Sequence, residues 1–135
     1  MRPPVFDGPT TRGLYDPTTG VYWASDAFAV PMSAPVREVA ELDQDFWTDG
    51  MPMFAQYISP WLSLVDEAKF QRTVDRVEAL SPSTIVGCPT PVIGRSHVAR
   101  AIEVARRAPW ATVAPQPDQA VLDEIQRALT LGVAA

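Results

Sequence analysis

The fold is decided by the stretch Val21-Tyr22-Trp23-Ala24-Ser25, which is rich in β-branched and aromatic residues. It follows the turn-forming residues Pro17-Thr18-Thr19-Gly20, and this combination predicts a short strand that leaves a tight turn. The residues before the turn, Gly13-Leu14-Tyr15-Asp16, suit the partner strand of a hairpin. The pattern therefore predicts a two-stranded ribbon that ends at Asp26.

The rest of the chain combines helical patterns with one further strand. Thr84-Ile85-Val86-Gly87 is a short apolar run and predicts a buried strand. Long proline-free stretches favour helices, because proline interrupts the helical hydrogen bonds. The spacing of apolar residues and the capping residues predict four helices: one with Pro52 in its first turn and Pro60 at its end, one from Asp66 to Leu80, one that Ser96 caps and Pro109 ends, and one over 118–131.

The order strands, helices, strand, helix, helix predicts an α/β fold, with a small mixed sheet covered by helices on one face. A chain of 135 residues suits a single hydrophobic core. We expect residues 1–110 to form the domain. Residues 111–135 are expected to form a linker and a C-terminal helix that packs on the same domain.

Composition and charge exclude several classes of protein. The net charge of −5 and the pI of about 4.7 argue against a nucleic-acid partner, which needs clustered basic residues. No apolar run is long enough for a membrane span, and the first residues lack the apolar core of a signal peptide. The single cysteine, Cys88, cannot form an internal disulfide. These features predict a cytoplasmic protein.

Three places could carry chemistry, and each also has a purely structural interpretation. Asp26 at a strand end could bind a metal or act as a base, but a turn aspartate bonded to backbone amides is favoured. Cys88 lies in a strand-to-helix loop of the kind that lines ligand crevices, but a buried apolar cysteine is favoured. The segment 7–13 could bind an anion, but a solvated turn is favoured. The only histidine, His97, is expected at the surface near a helix start.

Five aromatic residues of the central region form a further candidate. They fit a core or interface stripe better than a cofactor-binding face. The five are Phe46, Trp47, Phe54, Tyr57 and Trp61.

Four segments together resemble the second half of a metallo-β-lactamase-fold protein, in the branch related to flavodiiron proteins. The segments are Val21–Phe28, Ser59–Leu62, Phe70–Val77 and Thr84–Ile93. The similarity extends from about Arg2 to about Ala108. It implies half of an αββα sandwich whose complete form holds a pair of zinc or iron ions at the edge between the halves.

The resemblance assigns metal-site positions to two residues. Asp26 takes the position of the carboxylate that bridges the two metals, and Pro89 takes that of the final histidine ligand. The HxHxDH motif that supplies most ligands in the family is absent from the 135 residues, and proline has no ligand atom in its side chain. If the family geometry is kept, Asp26 and Pro89 lie at the same sheet edge with their Cβ atoms about 6–9 Å apart.

These observations predict a truncated metallo-β-lactamase-like half that has no catalytic activity and no bound cofactor as an isolated chain. Whether the protein is an enzyme stays open, because the family contains metal-dependent hydrolases and oxidoreductases. One alternative is half of a split dinuclear-metal hydrolase or oxygen reductase that another chain, a complementary N-terminal half, completes. The other is a homodimeric interaction module, whose candidate surface residues are Trp23, Trp47, Phe54, Tyr57 and Trp61.

Overall fold

The computed structural model describes residues 1–112 and 118–130. In this part of the chain a three-stranded mixed sheet has the order β1-β2-β3. β1 is antiparallel to β2 with Tyr15 opposite Tyr22, and β3 is parallel to β2 with Ile85 beside Tyr22. The strands are β1 (Leu14–Asp16), β2 (Val21–Trp23) and β3 (Thr84–Val86). The predicted α/β class and small mixed sheet are confirmed.

The hairpin between β1 and β2 is closed by the turn residues that the sequence offers. The Asp16 carboxylate accepts hydrogen bonds from the Thr18 backbone N–H at 2.8 Å and from Thr19 Oγ1 at 2.7 Å. These bonds, that from the Thr19 side chain above all, hold the pKa of Asp16 below its usual value. Gly20 has a φ of 72°, a left-handed conformation that glycine adopts without strain.

Four α-helices lie in the described residues: α1 (Gln44–Ile58), α2 (Glu67–Ala79), α3 (Arg95–Ala105) and α4 (Gln119–Thr130). Aspartates cap three of them by accepting a backbone hydrogen bond in the first turn. Asp118 accepts from Val121 N–H at the start of α4, the cap that the sequence predicts. Asp66, where the second of these helices is expected to start, caps α2. Asp43 caps α1.

The predicted start of α1 is wrong, because the helix begins at Gln44 and contains Pro52 in its interior. Proline has no N–H, so the carbonyl of Thr48 loses its helical partner. Arg107 replaces that partner, since its Nη2 donates to Thr48 O at 3.0 Å. The helix therefore continues through the proline and ends at Ile58, before Pro60.

The predicted cap of α3 is also wrong. Gly94 occupies the N-cap position and Ser96 lies inside the first turn, where its hydroxyl contacts His97 Nδ1 at 3.0 Å. The helix ends at Ala105 rather than at Pro109, which belongs to a 3-10 turn at Ala108–Trp110. Two further 3-10 turns lie at Val39–Glu41 and Pro60–Leu64.

The core lies between one face of the sheet and helices α1, α2 and α3. Tyr22 and Ile85 enter it from the sheet, and burial raises the pKa of the Tyr22 phenol to about 12. The helices contribute Trp47, Met51, Phe70, Val74, Val77, Val98, Ala101 and Ile102. Trp47 is fully buried, so this residue belongs to the core and not to the predicted dimer surface.

Helix α4 differs from the other three helices, because none of its residues is buried. Residues 113–117 of the predicted linker, and residue 131 at the predicted helix end, lie outside the described part. The packing of 111–135 on the same domain stays a prediction. Among the residues that the structure describes, no helix is long and apolar enough to cross a membrane. The cytoplasmic compartment stays a prediction.

Candidate functional site

The carboxyl ends of β2 and β3 lie at the same end of the sheet, because the two strands are parallel. Their pairing continues beyond the strands: Ala24 N–H donates to Val86 O at 2.7 Å, and Cys88 N–H donates to Ser25 O at 3.1 Å. Asp26 and Pro89 are the next residues after this last bonded pair. The structure therefore brings Asp26 and Pro89 to one end of the sheet, where the sequence analysis places its site.

Gly87 permits the close approach of the two loops at this end. A Cβ atom added there would overlap the carbonyl oxygen of Ser25 and lie 3.0 Å from Thr90 Oγ1. A side chain at position 87 would force the loop after β3 away from the loop after β2. The close approach of the loops that carry Asp26 and Pro89 thus requires glycine at position 87.

The backbone around Asp26 turns sharply. Ser25 and Phe28 have φ angles of 56° and 67°, in the left-handed region that large side chains rarely adopt. Burial of Ala27 and Phe28 in the core holds this turn in place. Strained backbone of this kind concentrates at functional sites, where it fixes the direction of one side chain. Here Asp26 lies between Ser25 and Phe28, the two residues with positive φ.

A second carboxylate, Asp7, is a charged neighbour of Asp26. The pKa of Asp26 is raised by its partial burial and by its interaction with the negative charge of Asp7. Asp7 in turn accepts a hydrogen bond from Thr11 Oγ1 at 3.0 Å. We call these two residues the carboxylate pair.

Sequence reasoning missed the role of Asp7 by treating segment 7–13 as a separate turn. The missed signal is the hairpin itself, because antiparallel pairing brings the residues before β1 beside those after β2. In that segment the Arg12 guanidinium donates to Pro9 O and Thr11 O at 3.0 and 2.8 Å. Arg12 thus supports its own loop, which agrees with a solvated turn.

Three other interpretations of single residues need correction. Among the described residues no backbone amide donates to the Asp26 carboxyl group, and the charged neighbour that raises its pKa is Asp7. Cys88 is exposed rather than buried, because the loop after β3 turns outward there. His97 is half-buried rather than at the surface, since its ring lies edge-on to Trp47 with ring centroids 5.7 Å apart.

The donor atoms at this end of the sheet do not fit a dinuclear metal centre. The carboxylate pair supplies two ligands, and Pro89 supplies none. Within residues 1–112 and 118–130, no group of three or more histidine, cysteine, aspartate or glutamate side chains could hold a metal ion. A dinuclear site needs several such ligands for each pair of ions.

The opposite face of the sheet carries an apolar row. Leu14, Trp23 and Val86 are register partners across the three strands. Leu14 is 70% exposed, Trp23 is 44% exposed and Val86 is half-buried. We call this row the open sheet face.

The chain has no match among family models, curated proteins or solved structures. The resemblance to metallo-β-lactamase-fold proteins stays a prediction from the four sequence segments. The site is described by its own residues: Asp26 at the carboxyl end of a small mixed sheet, with Asp7 as a charged neighbour.

Proposed function

We propose that these residues form one half of a metallo-β-lactamase-like αββα sandwich and have no catalytic activity as an isolated chain. The observation that supports this proposal is the carboxylate pair at the carboxyl end of the sheet, where Asp26 has an acidic neighbour but no histidine. Two carboxylates can share a proton or contact a cation, but they cannot enclose a pair of metal ions. In this proposal the site lacks the ligands of the other half.

Metal content tests the proposal directly. The chain, purified without a histidine tag, should contain zinc and iron at well below one ion per chain by elemental analysis. The Asp7→Asn/Asp26→Asn double variant should contain the same low amount. The matched control is Glu124→Gln, which removes an exposed carboxylate of α4 and leaves the pair intact.

One or more zinc or iron ions per wild-type chain would overturn the proposal, provided that the double variant loses them and the control keeps them. Retention of metal by the double variant but not by Cys88→Ser would overturn it as well. It would place a stoichiometric site at the exposed thiol instead.

A second candidate function is half of a split dinuclear-metal hydrolase or oxygen reductase that another chain completes. The open sheet face favours it, because a sheet in a sandwich normally buries both faces and this one exposes apolar side chains. A complementary half that covers Leu14 and Trp23 would extend beyond the strand ends to the carboxylate pair. It would bring the missing ligands to Asp26, although Pro89 would still leave one metal short of a ligand.

The coding DNA on the 5′ side of the Met1 codon gives the first test of this second candidate. An in-frame HxHxDH sequence there supports it, and the absence of that motif from neighbouring reading frames counts against it.

The same exposed face also suits a homodimeric interaction module. Sedimentation that gives a clean monomer at micromolar concentration would argue strongly against the dimer.

A further inference from the structure

A groove separates the middle of α1 from the 3-10 turn at Ala108–Trp110. Its volume is about 490 Å³. Pro52, Met53 and Trp110 give it an apolar wall, and Asp49 and Arg107 lie at its polar side. Trp110 is 54% exposed in this groove, an unusual state for a large aromatic side chain. The groove shares no residue with the carboxylate pair or the open sheet face.

Helix α4 presents an apolar stripe that nothing in the described chain covers. Val121, Leu122, Ile125 and Leu129 share one side of the helix at helical spacing, and all four are exposed. A helix of 12 residues is marginal in water without tertiary packing. Burial of the apolar surface of the stripe and of the groove would lower the free energy of the protein.

The chain connects the groove to this helix directly. Thr112 lines the groove, and Asp118 caps α4, so only residues 113–117 separate them. A connection of this length spans at most roughly 20 Å, which keeps α4 beside the groove. Such a short connection gives an effective concentration in the millimolar range and favours this helix over one from a second copy.

Charge at the rim is compatible with the same arrangement. Arg107 uses one donor on Thr48 O and has further donors available, because its guanidinium carries five N–H groups. Glu124 flanks the apolar stripe of α4, whereas Arg127 lies on the opposite side of the helix. A docked stripe would therefore bring an acidic side chain to a rim that offers Arg107 beside Asp49.

We propose that α4 docks its apolar stripe into the groove between α1 and the 3-10 turn at Ala108–Trp110. The occupant of the groove is thus the chain's own C-terminal helix.

Hydrogen–deuterium exchange of the full chain, read by mass spectrometry, tests this proposal. In the wild type we expect amides of α4 to exchange at least about tenfold more slowly than in an undocked helix. Ile125→Gln in the stripe and Met53→Gln in the groove should each abolish this protection. Arg127→Gln introduces the same residue on the opposite side of α4 and should keep it.

Three results would overturn the proposal. The first is an unprotected α4 in the wild type. The second is protection that Ile125→Gln removes but Met53→Gln leaves unchanged, because the stripe would then be covered elsewhere. The third is protection that rises with protein concentration, which would assign the contact to a second copy. The exchange rate of amides in α2 reports the stability of the core. If Met53→Gln speeds exchange in α2, Trp110→Gln provides the groove variant instead.

Discussion

The carboxylate pair shows how a single neighbour changes the chemistry of a residue. Alone at a strand end, Asp26 would be an ordinary turn aspartate. Beside Asp7 and partly buried, it holds its proton more tightly than a free aspartate does. The native state therefore tolerates the charged form of Asp26 less well than the unfolded state does.

The pair predicts a stabilising substitution. Since burial and Asp7 raise the pKa of Asp26 above 3.8, its contribution to stability is fully present below that pH and is lost as the pH rises through the folded-state pKa. Asp26→Asn removes this loss of stability, so we expect the free energy of unfolding to rise by about 0.5 kcal/mol at neutral pH. Thermal unfolding should show a Tm higher by about 2–3 °C at neutral pH, and no gain below pH 3.8.

Asp16 provides the control of opposite sign. Its pKa lies below 3.8, so its contribution is present above that pH and is lost as the pH falls through the lowered value. Asp16→Asn should therefore lower the Tm at neutral pH. An Asp26→Asn variant that also lowers the Tm at neutral pH would contradict the repulsion between Asp7 and Asp26.

Between elements, the contact of Arg107 with α1 explains how a helix continues through Pro52. The Thr48 carbonyl, which would otherwise lack a donor, accepts from Arg107 in the segment after α3. Arg107→Met should lower the free energy of unfolding by about 1 kcal/mol in the wild-type chain. In a Pro52→Ala background the loss should be much smaller, because the substitution restores a backbone N–H for the Thr48 carbonyl. Urea denaturation of the four proteins measures this coupling.

Arg107→Lys separates the hydrogen bond from the packing of the side chain, because lysine keeps a donor. It should retain more of the stability than Arg107→Met does. Equal losses for Arg107→Met in both backgrounds would show that Arg107 contributes through packing alone.

Helices α2 and α3 are joined by a network around Arg106. Its guanidinium donates to Asp75 at 2.7 Å, to Glu78 at 2.6 Å and to Gln71 at 3.0 Å. The Arg106 side chain is 28% exposed, so solvent screens these ion pairs in part. We expect Arg106→Met to cost about 1 kcal/mol of unfolding free energy, and less at high salt.

Arg100→Met is the matched control for this network. Arg100 pairs with Glu103 within α3 at 2.8 Å, and both side chains are well exposed. Loss of this ion pair should lower the free energy of unfolding by about 0.3 kcal/mol, because a pair within one helix does not join two elements. Equal effects of the two variants in denaturant unfolding would argue against a bridging role for Arg106.

For the molecule as a whole, two tryptophans differ in burial: Trp47 lies in the core and Trp23 lies on the open sheet face. Trp47 is fully buried against α3, where its ring meets His97. Trp47→Ala should cost about 3–5 kcal/mol, a large part of the stability of a domain of this size. Trp23→Ala, on the open sheet face, should cost about 1 kcal/mol or less. Denaturant unfolding in the same buffer compares the two.

A large loss for Trp23→Ala would show that the open sheet face is covered in solution. Sedimentation of that variant then identifies the cause, because a dimer through this face should dissociate. A small loss for Trp47→Ala would contradict the placement of the core between the sheet and helices α1, α2 and α3.

The sequence by itself determined the features that local interactions decide. The hairpin follows from Asp16 and the turn Pro17-Thr18-Thr19-Gly20, because Asp16 accepts hydrogen bonds from Thr18, Thr19 and Gly20 within this short segment. The caps at Asp66 and Asp118 were predictable for the same reason, since each carboxylate accepts from an amide three residues later. The strand Thr84–Val86 was predictable from its apolar β-branched character.

Only the tertiary structure decided the features that depend on contacts between distant segments. Pro52 indicates a helix start when only its neighbours are considered, and the Arg107 side chain that replaces the missing donor comes from another element. Asp7 pairs with Asp26 because the hairpin between them folds back. The aromatic residues of α1 look equivalent in sequence, yet Trp47 is buried and Phe46 is exposed. Spacing along a helix gives the apolar face, but which residues lose contact with water depends on what packs against that face.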